Sequence, residues 1–567
     1  MVSRLFKFLN RDVATMNQAA LVLAVFSLAS QLCGLLRDRL LASLVGPSLG
    51  LDTYYAAFRV PDFIYNSFGI LFSLTVLIPF ISQYMEEEKA TGKAHAVKHF
   101  LNTTFTVFTG GMLLVCLIAF TLMPWLTHLT APGFDAGTRA HLVQYSRIML
   151  ISPFFFGLSS LLSSFAQVQK KFFSFAIAPL FYNIGILFGV LFLRNMFGML
   201  GVVYGVGIGA LLYFFIQVPT LIELKKIPRF VRAIDWHLIK RIMLLSLPRT
   251  LGSSLSNLTF IAMGAIASLL AVGSISVFQF SYNIENTPLL IIGVSYAVAA
   301  FPTMSRLFSE GNRKELYTVL TNAVRNIAFL AIPASVLMIV LRAHIVRVLL
   351  GAGVFSWNDT RLVAAAVGLF SVSIFAQCII LLLVRAFYAT GETRVPLRIN
   401  AQSLILTVIV STGLLVWYKE GEIFHYFIDS MMRIDGVSGG TVIMLPLGFS
   451  IGQLINAFLL WKAFGKHLHG TKGERSNLAR TLSHMTAGAI LAGAATYASL
   501  QFAGSGVDQS RVIGVLIQAL VASVIGFAVY AIVLAALKNE DIKLFIATLR
   551  SKFWKQRPEV VPQQPDL

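Results

Sequence analysis

Apolar residues run along this chain in long windows, broken by short polar stretches rich in lysine and arginine. A helix rises 1.5 Å per residue, so about 20 apolar residues cross a hydrocarbon layer ~30 Å thick. About fourteen windows qualify by that criterion. They lie near 16–45, 55–84, 100–126, 141–168, 173–193, 199–222 and 240–268, then near 274–305, 316–341, 360–389, 398–418, 440–464, 481–502 and 511–537. Several exceed one crossing, which implies tilt or extension past the bilayer. The pattern predicts an all-α, polytopic membrane protein of about 14 transmembrane helices.

The polar stretches give the topology. Basic clusters recur at every second loop: Arg4, Lys7 and Arg11; Lys89, Lys93 and Lys98; Lys170 and Lys171; Lys225 to Arg241; Arg306, Arg313 and Lys314; Arg394 and Arg398; Lys462 to Arg480; and the tail from Lys538. The intervening loops are sparse, except the ninth, flanked by Arg342, Arg347 and Arg361. This alternation predicts that both termini are cytoplasmic. Composition agrees: of 567 residues 57% are hydrophobic, 12% are charged and 46 are Phe, and mean hydropathy is +0.77. The net charge of +20 is thereby a topology signal. It lies in separate short loops, so no nucleic-acid partner is expected. The first window is too long and too charged for a signal peptide and is taken as uncleaved.

Proline marks an internal correspondence. The second window ends Ile78-Pro79-Phe-Ile-Ser82 and the eighth ends Phe301-Pro302-Thr-Met-Ser305. Each begins after a short turn, Gly46-Pro47-Ser48-Leu49-Gly50 or Ala271-Val272-Gly273-Ser274, and aligning the prolines sets Asp62 opposite Glu285. Two parallel six-helix lobes follow, 1–224 and 242–464, joined by a hinge linker at 225–241. Windows thirteen and fourteen (465–537) form an appendix, and 538–567 is a basic tail. Local helix termination by each proline is the alternative. The polar segment 419–440 is either a short interfacial helix or an insertion of no consequence.

Candidate chemistry is confined to charges inside the spans. No G-x-x-x-x-G-K-[ST] sequence is present, so no P-loop ATPase is expected. No triad order recommends an enzyme, and neither a metal nor a cofactor is called for by Cys33, Cys116 and Cys378, which form no CxxC pair. The glycines Gly201, Gly205, Gly207 and Gly209 are expected to let helices approach closely. Charge in a span costs about 3 kcal/mol per residue on insertion scales, so Arg37, Asp38 and Arg39 stand out. Arg37, with Asp38 or Asp52 as partner, either meets an anionic group in a central cavity or locks the first two helices. Asp52 and Arg59 fit a gate, a helix staple or cargo binding. Glu285 must pair or protonate within the membrane. Arg249 and Arg325 are placed to snorkel. Asn257, Asn283 and Asn286 are suited to hydrogen bonds across helices.

Four stretches together resemble one family. Ser30-x-x-x-Gly34-x-x-Arg37-Asp38 and Asp52-x-x-x-x-Ala57-Phe58-Arg59-x-Pro61 lie in the first hairpin. Leu270-Ala-Val-Gly-Ser274-Ile-Ser276 runs on through Pro288 to Phe301-Pro302, and Arg385-Ala-Phe-Tyr-Ala-Thr-Gly391-Glu-Thr-Arg394-Val-Pro396 closes the set. The chain resembles the MurJ/MviN family, the lipid II flippases of bacterial cell-wall synthesis, over nearly its whole length. The resemblance implies two six-helix lobes about a cationic cavity, with the last two helices forming a groove for a polyprenyl tail. It implies an undecaprenyl-pyrophosphate-linked precursor as cargo, membrane lipids as surroundings, and membrane potential or a monovalent coupling ion as drive.

Arg37, Asp52 and Ser276 fall on family positions tied to function, and Arg59 keeps a cation there. Three family arginines are replaced, by Gln31, Tyr65 and Asn283, with Tyr282 and Asn286 in place of the family's flanking acids. The expected binding set is therefore Arg37, Asp52, Arg59, Ser276, Glu285, Asn283, Gln31 and Arg249. An exporter of another polyprenyl-linked glycan or amphiphile, or a non-transporting envelope scaffold, are the alternatives.

Overall fold

A backbone that crosses hydrocarbon finds no water for its N–H and C=O groups, so it must bond to itself, and the helix does this locally. The computed structural model describes residues 16–69, 74–91, 96–169, 171–223, 228–467, 472–504, 508, 511–539 and 541–542, and these contain helices and no strand. The first helices are α1 (Met16–Leu44), α2 (Leu49–Ala57), α3 (Arg59–Ser67), α4 (Leu74–Thr91), α5 (Ala96–Thr130), α6 (Ala136–Met149) and α7 (Ile151–Val168). Next come α8 (Phe173–Phe188), α9 (Arg194–Phe197), α10 (Met199–Phe215), α11 (Val218–Glu223), α12 (Trp236–Ser268), α13 (Ser274–Pro288) and α14 (Ser295–Ser309). The last are α15 (Arg313–Leu350), α16 (Trp357–Ser371), α17 (Ile374–Ala389), α18 (Arg394–Glu420), α19 (Glu422–Met432), α20 (Met444–His467), α21 (Lys472–Gly504) and α22 (Val512–Ala536). One turn of π-helix follows α8 (Gly189–Leu193) and another follows α13 (Leu289–Val294).

Every expected window is helical. Among the described residues nine spans are long and apolar enough to cross a membrane, or ten if the bent pair α16 and α17 is one span. The protein is therefore a multi-pass membrane protein. The other four windows are helical without meeting that test: α1 with its three consecutive charged residues, the second window, α12 and α21. The second window is divided, α2 meeting α3 at Phe58 and α4 starting at Leu74. Neither proline ends a helix, because α4 runs on from Pro79 to Thr91 and α14 from Pro302 to Ser309. Segment 419–440 is not featureless, since it holds α19. That helix exposes Ile423, Tyr426, Phe427 and Met431 and stacks Phe424 on Trp417 at 4.0 Å.

The chain divides into two compact units. One comprises Met1–Tyr282, Leu349–Ala366 and Thr393–Gly452, and the other Asn283–Val348, Val367–Glu392 and Gln453–Leu567. In the first unit, Phe80, Ile81, Phe100, Phe108, Leu161 and Phe165 are buried in one core built on α4, α5 and α7. Part of the expected hinge linker is tied to this core. The Arg229 N–H donates to Asn102 Oδ1 at 2.8 Å and the Val231 N–H to Thr106 Oγ1 at 3.0 Å. Linker residues 224–227 lie outside the described residues, as do 543–567 of the tail. In the second unit, α21 and α22 pack on α15. Tyr530 is fully buried and donates to the Phe329 carbonyl at 3.1 Å.

Apolar side chains gain little by leaving lipid for protein, so membrane helices hold together through close van der Waals packing. The glycine series on α10 acts in this way. A Cβ on Gly205 would come within 2.7 Å of the Gly189 Cα, and one on Gly209 would meet the backbone of Tyr182. Both approaches need a hydrogen where other residues carry carbon. Gly413 on α18, by contrast, has nothing within 4 Å of such a Cβ. Gly205→Val should therefore destabilise the protein by at least the ~1–3 kcal/mol typical of overpacking. Thermal unfolding in detergent should show a lowered Tm for Gly205→Val and an unchanged one for Gly413→Val.

Candidate functional site

The turn between α12 and α13 is built around Asp52. Gly273, at φ +92°, reverses the chain there, and a Cβ on it would meet Pro47 at 3.1 Å. The first N–H groups of α13 have no partner within the helix. Asp52, 3% exposed, supplies one: its Oδ2 accepts from the Gly273 N–H at 2.7 Å. Its Oδ1 accepts from the Ser276 N–H at 2.8 Å and from the Ser276 hydroxyl at 2.6 Å. A carboxylate at a helix N-terminus is also favoured by the helix dipole. Asp52 and Ser276 are thus brought together, as a staple between the second window and the eighth.

Arg37 is held on α1 by Asp38 and not by Asp52. Its Nε and Nη2 donate to Asp38 Oδ1 at 2.9 and 2.8 Å, and its Nη1 donates to Asn183 Oδ1 at 3.2 Å. The Asn183 amide in turn donates to the Ser30 carbonyl and hydroxyl. Asn183, on α8, was not singled out from sequence, although a lone amide in an apolar window was a signal. The Arg37 side chain keeps 22% exposure. Gln31, on the same helix, is half-buried.

Arg59, at the start of α3, is 8% exposed. Its Nη2 donates to Gln279 Oε1 at 3.1 Å, its guanidinium carbon lies 5.8 Å from the Phe260 ring centre, and its Nε has no hydrogen-bond partner. A Cβ on Gly264 would stand 3.1 Å from that Nε, so this glycine leaves the space that the guanidinium occupies. Among the described residues no carboxylate lies within ion-pair distance of Arg59, and Asp62, one turn along α3, is the acid whose charge acts on it. A polar seam continues from it between α3 and α12: Asn66 donates to Asn257 at 3.3 Å, and the Ser67 and Ser254 hydroxyls lie 2.9 Å apart. Asn257 thus makes the expected cross-helix bond. Tyr65, where the resemblance calls for arginine, has its hydroxyl 3.3 Å from Ser160 and its ring edge-on to Phe156.

In the second unit Glu285 is fully buried, and Gln377 Nε2 donates to its Oε1 at 2.7 Å. Asn283 is half-buried on α13. Arg325 pairs with Asp541 at 3.2 Å, so it is not a simple snorkelling cation. The Arg249 side chain lies outside the described residues. A cleft of about 380 Å³ is lined by Leu44, Val45, Ser48, Gly50, Arg194, Gly198 and Met199, and none of the candidate residues lines it. Among the described residues no group of His, Cys, Asp or Glu is placed to hold a metal ion.

The staple gives a direct expectation. Asp52→Ala strands two backbone donors and a hydroxyl in a buried site, at ~1–3 kcal/mol for each group left unmade. Asp52→Asn keeps one acceptor oxygen and turns an NH2 toward the remaining donor. Thermal unfolding should rank wild type above Asp52→Asn and Asp52→Asn above Asp52→Ala.

Known proteins share this fold. The family model for the lipid II flippase MurJ matches residues 41–517. A probable lipid II flippase MurJ of Rhizobium tropici is 26% identical over 547 residues, covering 93% of this chain and 95% of the relative. The solved structure of lipid II flippase MurJ in an inward closed conformation is 20% identical, covers 92% of this chain and 100% of that one, and superposes with a TM-score of 0.71. An inward-facing multidrug resistance transporter of the MATE family superposes with a TM-score of 0.60 at 14% identity, over 82% of this chain and 98% of that one. These likenesses give the fold, and the family match, which spans most of the chain, gives the membership: this protein belongs to the MurJ family.

Proposed function

We propose that this chain flips undecaprenyl-pyrophosphate-linked peptidoglycan precursor, lipid II, from the inner to the outer leaflet of a bacterial plasma membrane. It does so by alternating access, with both termini cytoplasmic and with lobes 1–224 and 242–464 rocking about the linker at 225–241. Family membership supports the cargo, and Arg59 is the observation that carries the reading. A buried guanidinium whose one side-chain hydrogen bond goes to neutral Gln279, with Asp62 near but out of contact and one N–H unbonded, is costly unless an anion completes it at some stage. A pyrophosphate oxygen is such an anion, and the guanidinium fork suits it. Arg37 retains exposure for the same purpose, while Asp38 and Asn183 fix its direction.

Asp52 and Ser276 serve this function at one remove, by fixing α13 against the first hairpin. A second reading keeps the fold and changes the cargo to another polyprenyl-linked glycan. Tyr65 favours it, because an aromatic ring engaged with Ser160 and Phe156 stands where the family places a further cation. Energy comes from membrane potential or a coupled ion.

Complementation tests the proposal. In a bacterial host depleted of its own lipid II flippase, this chain should prevent lysis and restore lipid II translocation. Loss of one charge-assisted contact costs about 1.5–3 kcal/mol, or roughly ten- to hundredfold in cargo affinity. Arg59→Ala and Arg37→Ala should each lose rescue at wild-type membrane abundance, and Arg59→Lys should retain part of it. An abundant wild-type protein that fails to rescue would move the assignment to the second cargo.

A further inference from the structure

Glu285 has a setting unlike that of any other carboxylate described above. It is 0% exposed, its Oε2 has no hydrogen-bond partner, and its one donor is the neutral Gln377 amide. That amide is shared with the Ser373 hydroxyl at 3.0 Å. Among the described residues no lysine, arginine or histidine pairs with it. On α17, which carries Gln377, the titratable and charged groups are Cys378, whose Sγ would lie 3.0 Å from a Cβ on Gly293, Arg385 and, at the far end of the helix, Tyr388. Arg385 stands two turns further along the helix and forms no ion pair with Glu285. On α14 they are Tyr296 and Arg306, and Arg306 lies 3.8 Å from Glu310. An ionised carboxylate here would have one neutral donor and no counter-charge among the described residues. A carboxylic acid would fit the same place as a neutral group.

Two helix breaks meet at this carboxyl. Pro288 and the π-helical turn Leu289–Val294 begin less than one turn after Glu285. Ser373 lies in the break between α16 and α17, and its hydroxyl touches the amide that holds Glu285. π-Helical turns inside α-helices are found mostly at functional sites, and breaks are where a helix changes direction at low cost. A carboxyl with a single neutral donor is thus bonded from the helix that carries the π-helical turn to the helix that begins at the 372–373 break.

We propose that Glu285 is the proton-binding site of the transport cycle, protonated in the arrangement seen here and ionised when the breaks at 288–294 and 372–373 open it to water. The proton leaves Oε2 for a water molecule admitted on opening and is regained on closing, so each cycle moves one proton with no other reactant. The inference rests on the transporter reading and deepens it by naming the coupling ion as a proton. Because ionisation favours the open arrangement, opening must by linkage favour ionisation.

The test uses the full chain in liposomes without cargo, so its outcome is independent of the complementation result. Infrared difference spectra across pH steps read the protonated-carboxyl C=O band. Hydrogen exchange, corrected for its intrinsic pH dependence, reads opening at 288–294 and 371–377. Wild type should show the band at neutral pH and lose it at alkaline pH together with protection of both segments. Glu285→Gln should lack both the band and the pH-dependent loss of protection. Gln377→Leu, which removes the only donor to the carboxylate, should move both changes to higher pH, and it serves if Glu285→Gln does not fold. No band assignable to Glu285, or equal pH-dependent opening in wild type and Glu285→Gln, would overturn the proposal.

Discussion

Every polar group that this chain carries into apolar surroundings has to be satisfied there, and the meeting of such groups sets much of the architecture. Lipid offers neither water to solvate a charge nor a hydrophobic force to press helices together. Asp52 therefore spends both oxygens on the start of α13. Arg37 turns to its own neighbour and to an amide on α8. Where no side chain serves, backbone meets backbone at glycine, as between Gly189 and Gly205. The structure is held by a few specific contacts among many indifferent ones.

Among the buried polar atoms without a hydrogen-bond partner, two belong to charged residues that are themselves buried and form no ion pair among the described residues. Arg59 keeps an unbonded Nε and Glu285 an unbonded Oε2, one in each compact unit. A buried ionisable group left with an unmatched atom is costly in the charged form. In the proposed cycle one atom awaits an anion and the other manages a proton. Cargo recognition and energy input would then be assigned to different units of the same chain.

The spans were legible in the sequence because composition alone forces them: windows rich in leucine, phenylalanine and valine have no other stable form in a membrane. Their subdivision was less so. The division at Phe58 is marked only by Pro61 in the first turn of α3, and among the described residues the tests of length and apolarity secure nine or ten spans where the pattern reads about fourteen. Arg37, Arg59, Asp52 and Glu285 were legible as charges out of place. Their partners were not, because Asn183, Gln279 and Gln377 lie 146, 220 and 92 residues away from the groups they bind. Pairing across such separations is a property of the packed helices and leaves no local mark. Gln377, a lone amide in an apolar window, was the nearest thing to a visible clue.

The Asp52 staple also bears on how the molecule is made. Its partners Gly273 and Ser276 lie 221 and 224 residues further along the chain. At about 5–20 residues per second, roughly ten to forty seconds separate synthesis of the acid from synthesis of the amides that receive it. During that interval a carboxylate without its native donors sits at the head of the second window, where water is its only solvent. The first hairpin therefore lacks this contact until the eighth window has been made. Closure of the staple is a late step of biogenesis, and a nascent chain cut short before Gly273 has no means of completing it.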